Sequence, residues 1–261
     1  MKPSGSLPYE LVEMIIAHLI YDVQTLKACA LTCYSWYIAA VPHLHRTCVF
    51  RGVDRAGLKS LSVRHALGLL PLVKDLRILQ PSTQPRWFLP QSFSRRYLRY
   101  FFAFQNVQSL TVQRLDIQSI IPGLKHHFGH FSPTLRSITL EAPRCTPRQL
   151  SHFFSFFPNL DDIEVRSLTR TRTGAPDDPL VPFSAPKLQG QLTLSSFTAV
   201  GTWEDLDASS GLRFHTIHLY PVSKCASVLL AACAKTLETL RIQPSDEFGT
   251  ESLIHSTTSW G

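Results

Sequence analysis

No apolar run in this 261-residue chain approaches the roughly 20 residues that a membrane-spanning helix needs. The opening residues, MKPSGSLPYE, lack the apolar core of a secretory leader. The six cysteines, at 29, 33, 48, 145, 225 and 233, are too scattered for a small disulfide framework. Together these absences predict a reducing compartment, cytoplasm or nucleus, with free thiols and no membrane. A Gly-rich phosphate loop, a nucleophile elbow and a dinucleotide fingerprint are also missing. No catalytic residue and no cofactor is therefore expected. Charged residues are only 17% of the chain, which fits a protein that buries much of itself or needs a partner. The net charge of +7 permits an acidic partner, but a simply basic surface explains it as well, and nucleic acid is not favoured.

Three clusters carry chemically suggestive residue types. Cys29, Cys33, His43, His45 and Cys48 have donor atoms suited to zinc, yet Cys29 and Cys33 fall on an apolar stripe, which predicts packed thiols. His126 and His130 stand at i, i+4, but no Glu follows the first to activate water, and Gly129 weakens a helix there. An exposed basic helix face is expected for His126, His127 and His130, and no metal. Arg95, Arg96 and Arg99 alternate with Tyr97, Tyr100, Phe101 and Phe102, a mixture able to bind phosphates and stack bases. The same spacing makes an amphipathic helix with its aromatics inward, the preferred reading. Cys225 and Cys233 fit one buried helix face, not a redox pair.

What the chain does have begins at Leu7. Pro8 suits the first helical position and Glu10 the first turn. Leu11, Val12, Met14, Ile15, Ile16, Leu19 and Ile20 then make a segment apolar nearly all round, where a surface helix should show one stripe. A second helical run follows Asp22, an expected N-cap, with Val23, Leu26, Ala30, Cys33 and Ile38 on its stripe and Leu31 and Tyr34 off it. Two or three short helices cannot hide that much apolar surface among themselves, so later chain or another protein must cover it.

Leu7-Pro8-x-Glu10-Leu11, Ile15, Ile16, Leu19, Leu26 and Leu31-Thr32-Cys33-Tyr34-Ser35-Trp36 resemble the F-box. The resemblance covers about a sixth of the chain. It implies an F-box at 5–50 that docks on a Skp-type adaptor and, through it, a cullin ubiquitin ligase. The adaptor contacts it implies are Leu7, Pro8, Leu11, Ile15, Leu26 and Leu31, with Trp36 packing between this module and the first repeat. The remaining chain would present an unidentified target protein. The rival readings are an F-box scaffold that never joins a ligase and, behind it, a basic nucleic-acid binder.

From 51 to 261 a looser regularity appears, apolar-x-x-apolar-x-apolar. It reads Val73/Leu76/Ile78, Val107/Leu110/Val112, Leu135/Ile138/Leu140, Leu160/Ile163/Val165, a stretched Leu188/Leu192/Leu194, Phe214/Ile217/Leu219 and Leu237/Leu240/Ile242. The steps of about 23 to 34 residues lie near the range of leucine-rich repeats. Helix-like stretches precede most copies, so stacked units could share one continuous core. The region resembles the irregular leucine-rich repeats that often follow an F-box, although no Asn stands at the usual ladder position. An α/β solenoid is expected, with parallel strands on the concave face and helices outside. Alternation would turn Arg77, Thr111, Thr139, Glu164, Thr193, His218 and Arg241 outward, and these are the candidate target-binding residues. The stretch around 167–186, rich in Pro, Arg and Thr with an Asp pair, reads as a loop or insertion.

Overall fold

A computed structural model describes residues 7–51, 55–79, 100–168, 189–195, 213–220 and 226–243. The chain is α/β. Three helices come first, α1 (Tyr9–His18), α2 (Val23–Ala30) and α3 (Tyr34–Leu44). Among the described residues, β1 (Thr47–Phe50), α4 (Arg55–Ala66), β2 (Asp75–Ile78), β3 (Ser109–Gln113), α5 (Ile117–Ile120) and α6 (Leu124–Phe128) follow. Then come β4 (Ser137–Glu141), α7 (Pro147–Ser155), β5 (Asp162–Arg166), β6 (Gln189–Ser195), β7 (Arg213–Tyr220), α8 (Ala226–Cys233) and β8 (Thr239–Ile242). No described helix is long and apolar enough to cross a membrane.

The eight strands form one sheet in sequence order, every neighbouring pair parallel. Parallel neighbours require a crossover between them. Alternation sorts the side chains. One inward row runs Cys48, Leu76, Leu110, Ile138, Ile163, Leu192, Ile217, and the next Phe50, Ile78, Val112, Leu140, Val165, Leu194, Leu219. All fourteen are buried and belong to one core with Phe128, Phe153 and Phe157 from the helical side. Phe128 meets Phe153 and Phe157 edge-on at centroid distances of 6.1 Å, the favoured aromatic arrangement. On β8 the rows open: Leu240 is half-buried and Ile242 is 46% exposed.

The repeat is also written in the backbone. The carbonyl of Lys74 accepts from the N–H groups of Gln108 and Ser109, that of Gln108 from Arg136 and Ser137, and that of Arg136 from Asp161 and Asp162. The residues just after β3, β4 and β5, namely Arg114, Ala142 and Ser167, share φ values of 57°, 49° and 53°. Each donates its N–H to the last carbonyl of the next strand, on Glu141, Arg166 and Ser195. A side-chain ladder exists too, one position ahead of four of the apolar triplets. Asn106 and Asn159 donate to the carbonyls of Pro71 and Pro133 at 2.8 Å, and Thr134 and Thr236 to those of Val107 and Phe214.

Several expectations need correction. Thr47–Phe50, read with the N-terminal module, is an edge strand paired to β2, because Cys48 and Phe50 alternate into the sheet core. Cys48 is thereby separated from Cys29, which packs among the N-terminal helices, and from Cys33, which is exposed. Pro8 caps α1 rather than opening it. His127 is buried, not on an exposed basic face, since α6 ends at Phe128 and turns that side inward. Phe102 is 40% exposed while Tyr100 and Phe101 are buried. The stretched copy works because Gly190, not Leu188, sits opposite Phe214, with a bulge before Gln191. Gly190 has φ +94°, and a Cβ there would lie 1.9 Å from the Asp161 carbonyl oxygen. Residues 95–99, Cys225, Leu188 and nearly all of the 167–186 stretch lie outside the described residues.

Candidate protein-binding surfaces

The N-terminal helices close a small core of their own. Val12 and Ile16 from α1, Leu26 from α2, and Ala39 and Ala40 from α3 are buried, with Leu19, Cys29, Ala30, Trp36 and Leu44 against them. Val12, Ile16 and Leu19 repeat at helical spacing, which fixes the inward face of α1. The start of α2 is set by Asp22, whose carboxylate accepts from the N–H groups of Gln24 and Thr25 and, at 2.6 Å, from the Thr25 hydroxyl. The Thr25 hydroxyl, then its N–H, holds the Asp22 carboxyl below the usual aspartate range.

A second apolar face remains uncovered. Leu11, Met14 and Ile15 are 44%, 60% and 40% exposed, and they too follow helical spacing. Leu7 beside them, Val23 on α2, Leu31 just after α2, and Tyr34, Tyr37 and Ile38 on α3 are also exposed, Leu31 by 87%. Helices apolar on two sides can satisfy only one side within so short a module. Of the expected adaptor contacts, Leu7, Pro8, Leu11, Ile15 and Leu31 are exposed. Leu26 is a correction: it is fully buried and holds the three helices together, so no partner reaches it without opening them. Trp36 likewise packs within the helical core rather than against the sheet. Met14, Tyr34 and Tyr37 are exposed as well and were not among the expected contacts, although the all-round apolarity of α1 already marked Met14.

The seven expected target-binding residues form a single register row. Arg77 pairs with Thr111, Thr111 with Thr139, Thr139 with Glu164, Glu164 with Thr193, Thr193 with His218, and His218 with Arg241. Arg77 and Arg241 are exposed and the five between them half-buried, so the row lines the face that the helices do not cover. Exposed Val49 extends it on β1.

The row is electrostatically divided. On β4 and β5 the charges are tied to each other: Arg166 bonds Glu164 at 2.7 Å and Glu141 at 3.3 Å. Gln113 donates to Glu141, Thr139 to Glu164, and Ser137 to Asp162. The β7–β8 end is different. His218 stands edge-on to Tyr220 at 6.2 Å, and Arg241 makes no ion pair among the described residues. Partial burial and then the Arg241 charge push His218 below the usual histidine value, with Asp162 opposing them. No group of three or more His, Cys, Asp or Glu placed to hold a metal occurs among the described residues.

No protein-family model matches the chain, and no curated protein matches it.

Proposed function

We propose that the chain is a non-catalytic substrate-recognition subunit of a Skp–cullin–F-box ubiquitin ligase, working in the cytoplasm or nucleus. Its N-terminal helices act as an F-box that clamps a Skp-type adaptor through apolar contacts. Its sheet region acts as an irregular leucine-rich-repeat solenoid whose polar face holds a target protein. The two together set a target lysine near the ligase, and holding reactants together makes their encounter effectively unimolecular.

The observation that carries this reading is the uncovered apolar face of α1 and its continuation through Val23, Leu31, Tyr34 and Ile38. A face of that kind marks an interaction surface. The sequential parallel order of all eight described strands supports a stacked-repeat architecture, since each unit shares its core only with its neighbours. The test is capture of a purified Skp-type adaptor by the full chain. An interface of the size a stable complex needs buries about 1,200 Å² or more in total. Absence of capture at micromolar concentrations would defeat the docking half of the proposal.

A further inference from the structure

The middle of the polar row and its β8 end differ in what they leave unsatisfied. Across β4 and β5, Glu141 and Glu164 share one guanidinium, Arg166, Asp162 adds a third carboxylate, and each carboxylate already accepts from a neighbour. That middle stretch carries surplus negative charge whose hydrogen bonds are largely spoken for. Across β6 to β8 the balance is reversed. Thr193, Ser195, Tyr220 and Arg241 offer donors that bond nothing in the described structure, and His218 adds a titratable one between Thr193 and Arg241. No carboxylate stands on those three strands at the outward positions 191, 193, 195, 216, 218, 220, 239 and 241. Donors left open on a surface call for an acceptor from a ligand, and a cation among them favours an anionic one.

We propose that this face binds an extended protein segment of mixed charge, its anionic side chain over His218 and Arg241 and a basic side chain over Glu141, Asp162 and Glu164. This rests on the reading of the sheet face as the target-holding surface and names the chemistry of the target. A nucleic acid fits poorly, because a polyanion crossing the row would meet the three carboxylates. Geometry also sets the spacing. Glu164 and Arg241 lie three strands apart, about 14 Å at the usual strand separation of about 4.8 Å. An extended chain rises about 3.3 Å per residue, so acid and base should stand about four residues apart. Phosphate and carboxylate share the required acceptor chemistry.

Isotope-labelled full chain is titrated with three synthetic peptides, and the His218 ring is followed by NMR across pH. One peptide carries lysine and phosphoserine four residues apart, the second lysine and glutamate, and the third phosphoserine at both places. Either mixed peptide should raise the His218 pKa, and the larger rise assigns phosphate or carboxylate. The doubly acidic peptide should bind more weakly than either. Arg241→Gln should weaken the better mixed peptide about threefold to fivefold, as exposed ion pairs allow. Arg241→Lys should restore most of that, and Lys125→Gln on α6, exposed on the helical side away from the row, should change nothing. An unmoved His218 pKa with both mixed peptides, equal losses from Arg241→Gln and Lys125→Gln, or tighter binding of the doubly acidic peptide would each overturn the proposal. Thr139→Arg, in the middle of the row, separates this failure from failure of the underlying reading. If it abolishes binding of proteins that co-purify with the chain while the peptides do nothing, the face binds targets by other chemistry.

Discussion

Replacing Leu11 and Ile15 by aspartate should abolish adaptor capture and leave the fold standing. Both side chains are under half exposed, at 44% and 40%, so a partner can cover only that remainder. Full burial of such a side chain is worth about 1.5–3 kcal/mol, so each contributes about 1 kcal/mol at the interface. Aspartate removes that and, if covered, leaves an unpaired carboxylate costing about 1 kcal/mol or more. The sum is about 4 kcal/mol, or about a thousandfold in Kd. The fold loses about 2–3 kcal/mol, from the already covered part of each side chain and from two poorer helix formers, so capture is scored only where urea unfolding shows the variant folded. Leu26→Ala is the counter-experiment. Leu26 is fully buried, so its truncation should cost about 2–5 kcal/mol of stability and affect capture only through unfolding. Capture is measured by titration calorimetry and stability by urea unfolding on the same preparations. Undiminished capture by the double aspartate variant, or loss of capture in a fully stable Leu26→Ala, would refute the reasoning.

Other expectations come from the sheet. Gly190→Ala should destabilise by about 3 kcal/mol or more, because φ +94° strains any side chain and the new Cβ meets the Asp161 carbonyl; urea midpoints check it. Thr134→Val should cost about 1–2 kcal/mol by stranding the Val107 carbonyl, read the same way. Burial, then Asp116, pushes the Cys145 thiol up to about 12. The unfolded thiol ionises near pH 8.5 while the folded one stays protonated, so stability is unaffected below that pH and falls above it. The limiting slope is about 1.4 kcal/mol per pH unit until about pH 12, and Cys145→Ala should remove that increment. Exposed Cys33 should react with a thiol reagent in the native state while Cys48, Cys145 and Cys233 are protected, as mass spectrometry of the labelled chain would show.

The inward rows were legible because a buried strand position tolerates little but an aliphatic or aromatic side chain, and the last two positions of the triplet keep their spacing in every copy. The outward row followed from alternation alone, and its seven members share one register across β2 to β8. β1 was not legible. Its triplet lacks the first apolar member, since His45 stands three residues before Cys48, and the strand follows α3 so closely that it reads as its tail. Leu26 was misplaced because motif resemblance marks positions where leucine is needed without saying whether its own neighbours or a partner need it. The ladder escaped notice because two residue types divide it between them. Asn106 and Asn159 use amides where Thr134 and Thr236 use hydroxyls. A search for one residue type at one position cannot find a role that either can fill.

The short joint between the helical core and the sheet arises from the same packing. Leu44 still packs with the N-terminal helices, and Thr47 already starts β1, so two residues connect two separate cores. Both are held. His45 donates its N–H to the Val41 and His43 carbonyls. The Arg46 carbonyl accepts from Lys74 and Asp75, while its guanidinium pairs with Asp75 at 3.2 Å and Arg64 donates to the Thr47 carbonyl. Arg46 thus performs for β2 the service that Lys74, Gln108 and Arg136 perform for the strands after it. The last residue of the joint is therefore already a member of the repeat. On the proposed reading, in which the helices hold one protein and the sheet another, such a joint is an advantage, because rotation about it would undo the proximity that two separate bindings had created.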